Sequence, residues 1–534
     1  MARSSPVWDY IVVGAGTAGC VLASRLSEGN NQSVLIIEAG GDSKGVIFKI
    51  PGGVMCLEGN LRYDWCYSMQ EEPAIDNRRE TLNAGKVVGG GSAINGMMHL
   101  RGHAGDFENW LAAGNVGWGP RDVMRLYRKI EKTGAGEAKG GPEGGLLGVE
   151  YPRSFLEISG HFIDACREYG LPLNPDVNGG DNYGVSRTPN SIWKGVRQST
   201  ASTYLRPAMK RTNLELVTNA MVCGLIFSKR RAVGVRYVKD GIIQVAHVRK
   251  EVLLSAGAIR SPHLLMLSGV GPAAHLRDMG IPLVQENENV GANLQDHPAT
   301  YIVKRSRLPT WNRDTVTWRK GLQFLNWLAR RRGPAACGPS QAVAFVKSDP
   351  SRARPDIQIT FAPIGYHYDG SRVRIPRENH VLAMINVCRP LSRGRLMLHS
   401  NDHRDAPLIF PALLQDGSDL ALMRKGVRIA RQIFSTPGIS EHLAAEVSTG
   451  SDVATDLELD AWIRRTVKDT THVCGTCRMG VNPDAVVDPQ LRVIGTDGLR
   501  VADASIIPAI TTGNTNAVVI MIAEKAAELI ANDR

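Results

Sequence analysis

Asp9-Tyr-Ile-Val-Val13-Gly14-Ala-Gly16-Thr17-Ala18-Gly19, followed one helix later by Ser33-Val-Leu-Ile-Ile37-Glu38-Ala39-Gly40, decides the fold. Tyr10 to Val13 reads as a buried strand, and the Ala-, Val- and Leu-rich run through Leu26 as a helix. Ser33 to Ile37 reads as a second strand that ends on an acid. Gly14 permits the sharp turn, Gly16 lets backbone approach a pyrophosphate, and Gly19 lets the helix pack on the strand. The helix start, with Thr17 and Ala18, offers unpaired N–H groups to phosphate. Glu38, followed by Ala39, stands where a carboxylate meets ribose hydroxyls. Together these predict a βαβ unit for the ADP half of a dinucleotide. The acid argues against a 2′-phosphate and leaves NAD and FAD open.

Two further motifs separate those two. Gly85-Lys-Val-Val-Gly89-Gly-Gly-Ser92-Ala-Ile-Asn95-Gly96-Met97-Met98 is a second glycine cradle far from the first. A simple NAD domain needs none, whereas FAD has a ribityl and isoalloxazine half to hold. Gly257-Ala-Ile-Arg-Ser261-Pro262 to Gly271-Pro272 begins where a strand ends and continues as a helix.

The 534 residues exceed one ordinary domain. Segments 1–155, 198–300 and 465–534 are expected to build one discontinuous nucleotide-binding domain. Strands are expected at Leu214 to Phe227, Ala232 to Val238 and Lys250 to Ser255, with a C-terminal helix from about Asn516 to Ala531. Segments 156–197 and 301–464, richer in Trp, Pro and Arg, are expected to form a second domain. Gly134 to Gly148 reads as a surface loop or lid.

A net charge of +11 raises nucleic acid as a partner, but the only run of three arginines is Arg330-Arg331-Arg332, read as a solvated helix end. No nucleic-acid partner is expected. Nine cysteines in so long a chain make no disulfide framework; Cys474 and Cys477 are read as packing, and no metal is expected. No apolar run reaches transmembrane length, and no signal core precedes the first strand. A soluble, cytoplasmic protein follows, with peripheral membrane contact open and the oligomeric state unread.

On these motifs, with Asn293-Leu-Gln-Asp296-His297-Pro298 and two C-terminal stretches, the chain resembles the glucose–methanol–choline (GMC) oxidoreductases, FAD enzymes that mostly oxidise alcohols. The resemblance covers essentially the whole length. It implies an α/β fold of two domains: a Rossmann-like FAD-binding domain, and a substrate domain whose mainly antiparallel sheet is covered by helices. It places Ser92 and Asn95, Gly96, Met97 and Met98 along the pyrophosphate and flavin. It sets the Val222 backbone at the adenine, Asp503 and Ala504 at the ribityl chain, and Asn516, Ala517 and Val518 at the flavin. A helix cap is the alternative reading for Asp503. Some members attach FAD through a histidine at the position of Ile94; isoleucine cannot, so the FAD is expected to be non-covalent.

Oxidising an alcohol needs a base for the hydroxyl proton and a polar partner for the oxygen. Among 13 histidines, His472 lies in Thr471-His472-Val-Cys474-Gly-Thr-Cys477, a polar loop that by itself suits a structural role as well. The resemblance makes it the base. The partner is expected from Gly513-Asn514-Thr515-Asn516: Asn516 matches the family position, Asn514 is its near competitor, and an N-cap is the alternative for Asn516. His297 is expected to hydrogen-bond in the core. A primary or secondary alcohol is the expected substrate, with oxygen or a quinone- or dye-like acceptor. A choline site would need a carboxylate and an aromatic cage, and neither can be placed in 301–464. A lyase or light-driven decarboxylase of the same fold, or a non-catalytic flavin-binding, electron-transfer module, are the rival readings.

Overall fold

The computed structural model describes residues 7–29, 31–133, 145–315, 317–369, 372–448 and 453–533. Among these, the strands gather into two main sheets. The first begins with β1 (Val7–Val13), which passes through Gly14 into α1 (Thr17–Leu26) and returns as β2 (Val34–Ile37). Tyr10 to Val13 and all of β2 are buried, as strands covered on both faces must be. The sheet order is Leu214–Val217, β2, β1, Ile242–Leu254, Arg231–Lys239, Ala220–Ser228, and Leu499–Val501 is a further neighbour of Ile242–Leu254. The pairings around β1 and β2 are parallel. Ile242–Leu254 is long enough to do two jobs. Its second half pairs parallel with β1, and its first half pairs antiparallel with Arg231–Lys239.

The strand expected from Leu214 to Phe227 is two strands. The chain breaks at Asn219, which lies in the left-handed region at φ 52° and donates its N–H to the Gly40 carbonyl. The break moves Ala220–Ser228 to the far edge of the sheet. It also brings Ala220 N–H onto the Glu38 carbonyl, so both ends of the break are tied to the end of β2.

The second sheet has the order Leu443–Glu446, Ala299–Ser306, His380–Val387, Ile357–Ala362, Ala342–Val346, Gly184–Arg187, antiparallel throughout. Helices Glu157–Glu168, Gly417–Phe434 and Asp456–Thr466 bury their apolar stripes on one face, around Phe162, Phe361 and Phe434. Side chains Thr360, Ala362, Leu382 and Met384 instead line a cavity between this sheet and the first. This is the expected α/β architecture with a helix-covered antiparallel sheet.

The C-terminal helix, Asn516–Asn532, packs on α1. Its Glu524 is fully buried and pairs with Arg25 at 2.7 Å. That pair fixes the two helices side by side, so that both N-termini open on the same cavity. Of the expected Gly134 to Gly148 loop, 134–144 lie outside the described residues, and its end is the short strand Leu147–Val149. No helix among the described residues is long and apolar enough to cross a membrane.

Candidate active site

A cavity of about 480 Å³ runs along the C-terminal ends of the parallel strands. The first glycine stretch forms its floor. A Cβ on Gly14, at φ 94°, would lie 2.7 Å from the Ser255 carbonyl oxygen; a Cβ on Gly90 would lie 2.7 Å from Gly16 Cα. The two glycine stretches therefore touch, and Gly89 N–H donates to the Ala15 carbonyl at 2.7 Å. Gly16 is the N-cap of α1 and Thr515 that of the C-terminal helix, and neither helix start is capped by a side chain. Uncapped N–H groups and bare backbone aimed into one space fit an anionic, elongated cofactor.

Gly14, Gly16, Thr17, Ala18, Glu38, Ala39, Asn95, Gly96, Met97, Met98, Val222, Asp503, Ala504 and Asn516 all line this cavity, as expected. Ile94 does too. Gly19, Ser92, Ala517 and Val518 do not. A Cβ on Gly19 would sit 1.9 Å from the Gly14 carbonyl oxygen, so Gly19 serves helix packing. Ser92 Oγ donates to the Gly89 carbonyl at 2.6 Å and holds the second glycine turn from behind. Ala517 and Val518 are buried within the helix wall.

Two acids are spoken for. Glu38 accepts from Ala15 N–H and Gly40 N–H, both at 2.8 Å, so it braces the glycine turn. Asp503 accepts from Gly257 N–H, Ser261 Oγ, Ser505 N–H and Ser505 Oγ. It caps the turn Ala504–Ile506, and the cap reading of this residue describes its side chain. Val222 adjoins a bulge, since the pairing jumps from Val222–Tyr237 to Gly224–Arg236.

At the other end stand His472, His297, Asp296, Thr470 and Asn514, carried by two separate loops and the chain before the last helix. Asp296 Oδ1 accepts from the backbone N–H of His472 at 3.0 Å and of His297 at 2.7 Å. Thr471, just before His472, is left-handed at φ 60°, a costly conformation that turns the next side chain into the cavity. His297 Nε2 lies 3.0 Å from the Cys388 carbonyl and 3.1 Å from the Thr511 carbonyl. Carbonyls only accept, so Nε2 carries the proton and His297 Nδ1 is a bare acceptor. His472 Nδ1 lies 2.9 Å from that acceptor and 2.8 Å from Thr470 Oγ. His472 therefore holds its proton on Nδ1, and its Nε2 carries the lone pair. His297 does sit in the core, and there it sets the tautomer of His472.

His472 Nε2 accepts from Asn514 Nδ2 at 2.9 Å. Asn514, the near competitor, makes this contact and Asn516 does not, although both line the cavity. Asn516 opens the helix, and its Oδ1 accepts from Thr17 Oγ at 3.1 Å, across at the glycine floor. It is the first helical residue and not the N-cap. Asn514 still lies in the irregular chain after Gly513, at φ 97°, with its Oδ1 buried and unpartnered.

Burial, and then the neighbouring His297, push the His472 pKa well below 6.5. Burial lowers His297 to about 4 and raises Asp296 to about 7. Cys474 and Cys477 are buried free thiols whose pKa values burial raises, which makes them poor nucleophiles. Sequence reasoning missed Glu58, Tyr366 and Asp469, which also line the cavity. Asp469 lies three residues before His472 on the same loop, and the fold brings Glu58 and Tyr366, from stretches without a motif, to the same cavity.

A dinucleotide floor joined to a buried histidine whose Nε2 lone pair lies on the cavity side defines a class of cofactor-dependent oxidoreductase. The GMC oxidoreductase model matches residues 8–299, and the model of the C-terminal GMC oxidoreductase region matches 390–523. The chain belongs to the GMC oxidoreductase family, and FAD is the cofactor for which the cavity is built. The chain is 38% identical to the oxygen-dependent choline dehydrogenase of Rhizobium meliloti (strain 1021), over 98% of this chain and 95% of that protein. It is 37% identical to the protein of the same name from Brucella suis biovar 1 (strain 1330), with the same coverage. Among solved structures, pyridoxine 4-oxidase from Mesorbium loti matches with a TM-score of 0.89 and 29% identity, over 98% of this chain and 99% of that one. Formate oxidase matches with a TM-score of 0.92 and 26% identity, over 100% and 99%.

Proposed function

We propose that this GMC oxidoreductase oxidises a primary alcohol to the aldehyde, with His472 as the base and Asn514 as the oxygen's hydrogen-bond partner. The observation that carries the reading is the tautomer chain: two carbonyls hold the proton on His297 Nε2, His297 Nδ1 faces His472 Nδ1–H, and His472 Nε2 turns its lone pair to the cavity side, onto Asn514 Nδ2. Bound FAD, held non-covalently because Ile94 offers no attachment, supplies the hydride acceptor at flavin N5.

The protein's part is to bind and to move a proton. The alcohol hydroxyl takes the place beside His472 Nε2 that Asn514 Nδ2 now holds at 2.9 Å. Nε2 accepts the hydroxyl proton, and Asn514, which cannot titrate, donates to the oxygen as negative charge develops. The imidazolium keeps its Nδ1–H on the His297 lone pair and Thr470 Oγ, so the ring does not rotate. His297, already protonated on Nε2 and hard to charge, does not take the proton onward. The rest of the substrate faces Thr360, Leu382, Met384 and Tyr366. Glu58 and Asp469 add two carboxyl groups to the lining, both with pKa values raised by burial. They favour an alcohol bearing hydrogen-bond donors or positive charge over an anionic one. These acids come from outside 301–464, the stretch where a carboxylate for a cationic alcohol had no place. Oxygen is the proposed final acceptor, after the name of the choline dehydrogenase relatives.

The test is anaerobic mixing of the holoenzyme, in the dark, with a panel of neutral, cationic and anionic alcohols. Bleaching of the flavin by at least one neutral or cationic alcohol is expected. A flavin that stays yellow with every alcohol, with cyanide release from a cyanohydrin or light-dependent CO₂ release from a fatty acid, overturns the reading in favour of a lyase or decarboxylase.

A further inference from the structure

Helix Thr317–Arg330 is built the wrong way round for a soluble surface. Trp318 is 65% exposed, Leu322 54% and Leu325 59%, and Phe324 and Leu328 are exposed beside them. Positions 318, 322 and 325 follow the i, i+4, i+7 spacing of one helix face. The inward side is the polar one. Gln323 donates to Asp314, Asn326 donates to the Arg332 carbonyl, and Trp327 is buried with its indole N–H on the Gly195 carbonyl at 2.7 Å. An apolar stripe of this size, turned outward, marks a surface meant to be covered.

Charge says what covers it. Lys320, Arg330 and Arg332 are exposed around the stripe, and Arg319 and Arg331 lie at its flanks, Arg331 stacked on Trp327 at 3.9 Å. A second copy of this face would set one basic rim against another. A bilayer with anionic headgroups offers hydrocarbon to the stripe and negative charge to the rim at once. We propose that Thr317–Arg330 is an interfacial helix that docks this enzyme on an anionic lipid surface. From this helix the chain passes through the turn Pro334–Ala336 to Pro339 and Ser340, which line the cavity. The basic run Arg330-Arg331-Arg332 is then the rim of a binding surface as well as a helix end.

Flotation of the FAD-loaded enzyme with vesicles tests this. Wild type should float with equimolar phosphatidylglycerol–phosphatidylcholine vesicles and not with pure phosphatidylcholine. Lys320→Gln/Arg330→Gln/Arg332→Gln should weaken that binding on the order of a hundredfold, from three surface cations. Trp318→Ser/Leu322→Ser/Leu325→Ser should weaken it at least about tenfold. Both variants should keep the flavin content and alcohol-dependent bleaching of wild type. If the apolar variant does not fold, the charge variant alone still decides. Wild type that stays unbound, or binding that neither variant changes, overturns the proposal. So does a wild-type dimer in sedimentation that the apolar variant turns into monomer, which would make the face a contact between copies.

Discussion

The two ends of the cavity are built from different materials. The glycine end is made of backbone: Gly14, Gly16 and Gly90 press main chain against main chain, and Glu38 braces the turn through two N–H groups. The histidine end is made of side chains, brought together from Asp296 and His297, Thr470 and His472, and Asn514. Backbone sites are written in contiguous sequence and tolerate almost no added atom. Side-chain sites are scattered along the chain, and one group can stand in for another that keeps the same donor or acceptor.

The largest expected effect breaks the backbone end. Gly90→Val puts a branched side chain where even a Cβ meets Gly16 Cα at 2.7 Å. The purified variant should carry no FAD, read as loss of the absorbance near the visible flavin band. A yellow variant would show that the two glycine stretches need not touch.

The next two sharpen the side-chain end. Asn514→Ala should slow flavin reduction by about 10²–10³, the cost of one donor to a developing oxyanion. Asn516→Ala should slow it less and should loosen FAD instead, because Asn516 holds Thr17. Stopped-flow reduction and FAD dissociation separate them; the reverse order would return the catalytic role to Asn516. His297→Leu removes the acceptor at His472 Nδ1, and reduction should slow about tenfold to a hundredfold, as for a hydrogen bond to a charged group. His297→Asn keeps an acceptor near that place and should recover part of the rate. Equal loss in both variants would make His297 only a packing residue.

The smallest effect is on pH. The His472 pKa is lowered below 6.5, so the base stays neutral at and above that pH. The limiting rate of flavin reduction should be flat from alkaline pH down to 6.5 and should fall only below it. A fall centred above 6.5 would point to another group. Stability carries the same sign from His297, with a pKa of 6.5 unfolded and about 4 folded. Its contribution is whole above 6.5 and is lost as pH falls toward 4. Asp296, raised to about 7, acts the other way: its protonated form favours the fold, and that stability is lost as pH rises through 7. With the His297 contribution removed, that of Asp296 weighs more, so between pH 4 and 6.5 the Tm of His297→Asn should gain less, or lose more, with rising pH than that of wild type.

The same division explains what the sequence made legible. β1, the glycine turn, α1 and β2 were readable because each depends on neighbours a few residues away. The long strand from Leu214 was read through Asn219, because its apolar run gives no warning that one left-handed residue redirects the chain to the other sheet edge. Asn514 and Asn516 were not separable, because the choice depends on where the last helix starts, one residue after Thr515. His297 was readable as buried but not as a tautomer lock, since Cys388 and Thr511, whose carbonyls fix its proton, lie far away in the chain. Glu58 and Tyr366 carry no local signal at all, and Asp469 is marked only by standing three residues before His472.

The central claim is that His472 Nε2 takes the alcohol proton, and one measurement reaches it directly. His472→Ala, loaded with FAD to the wild-type level, is mixed anaerobically with a good alcohol substrate, and the bleaching of the flavin is followed in single turnover. Loss of the base should slow bleaching on the order of 10²–10⁴-fold. Bleaching as fast as wild type would contradict the account.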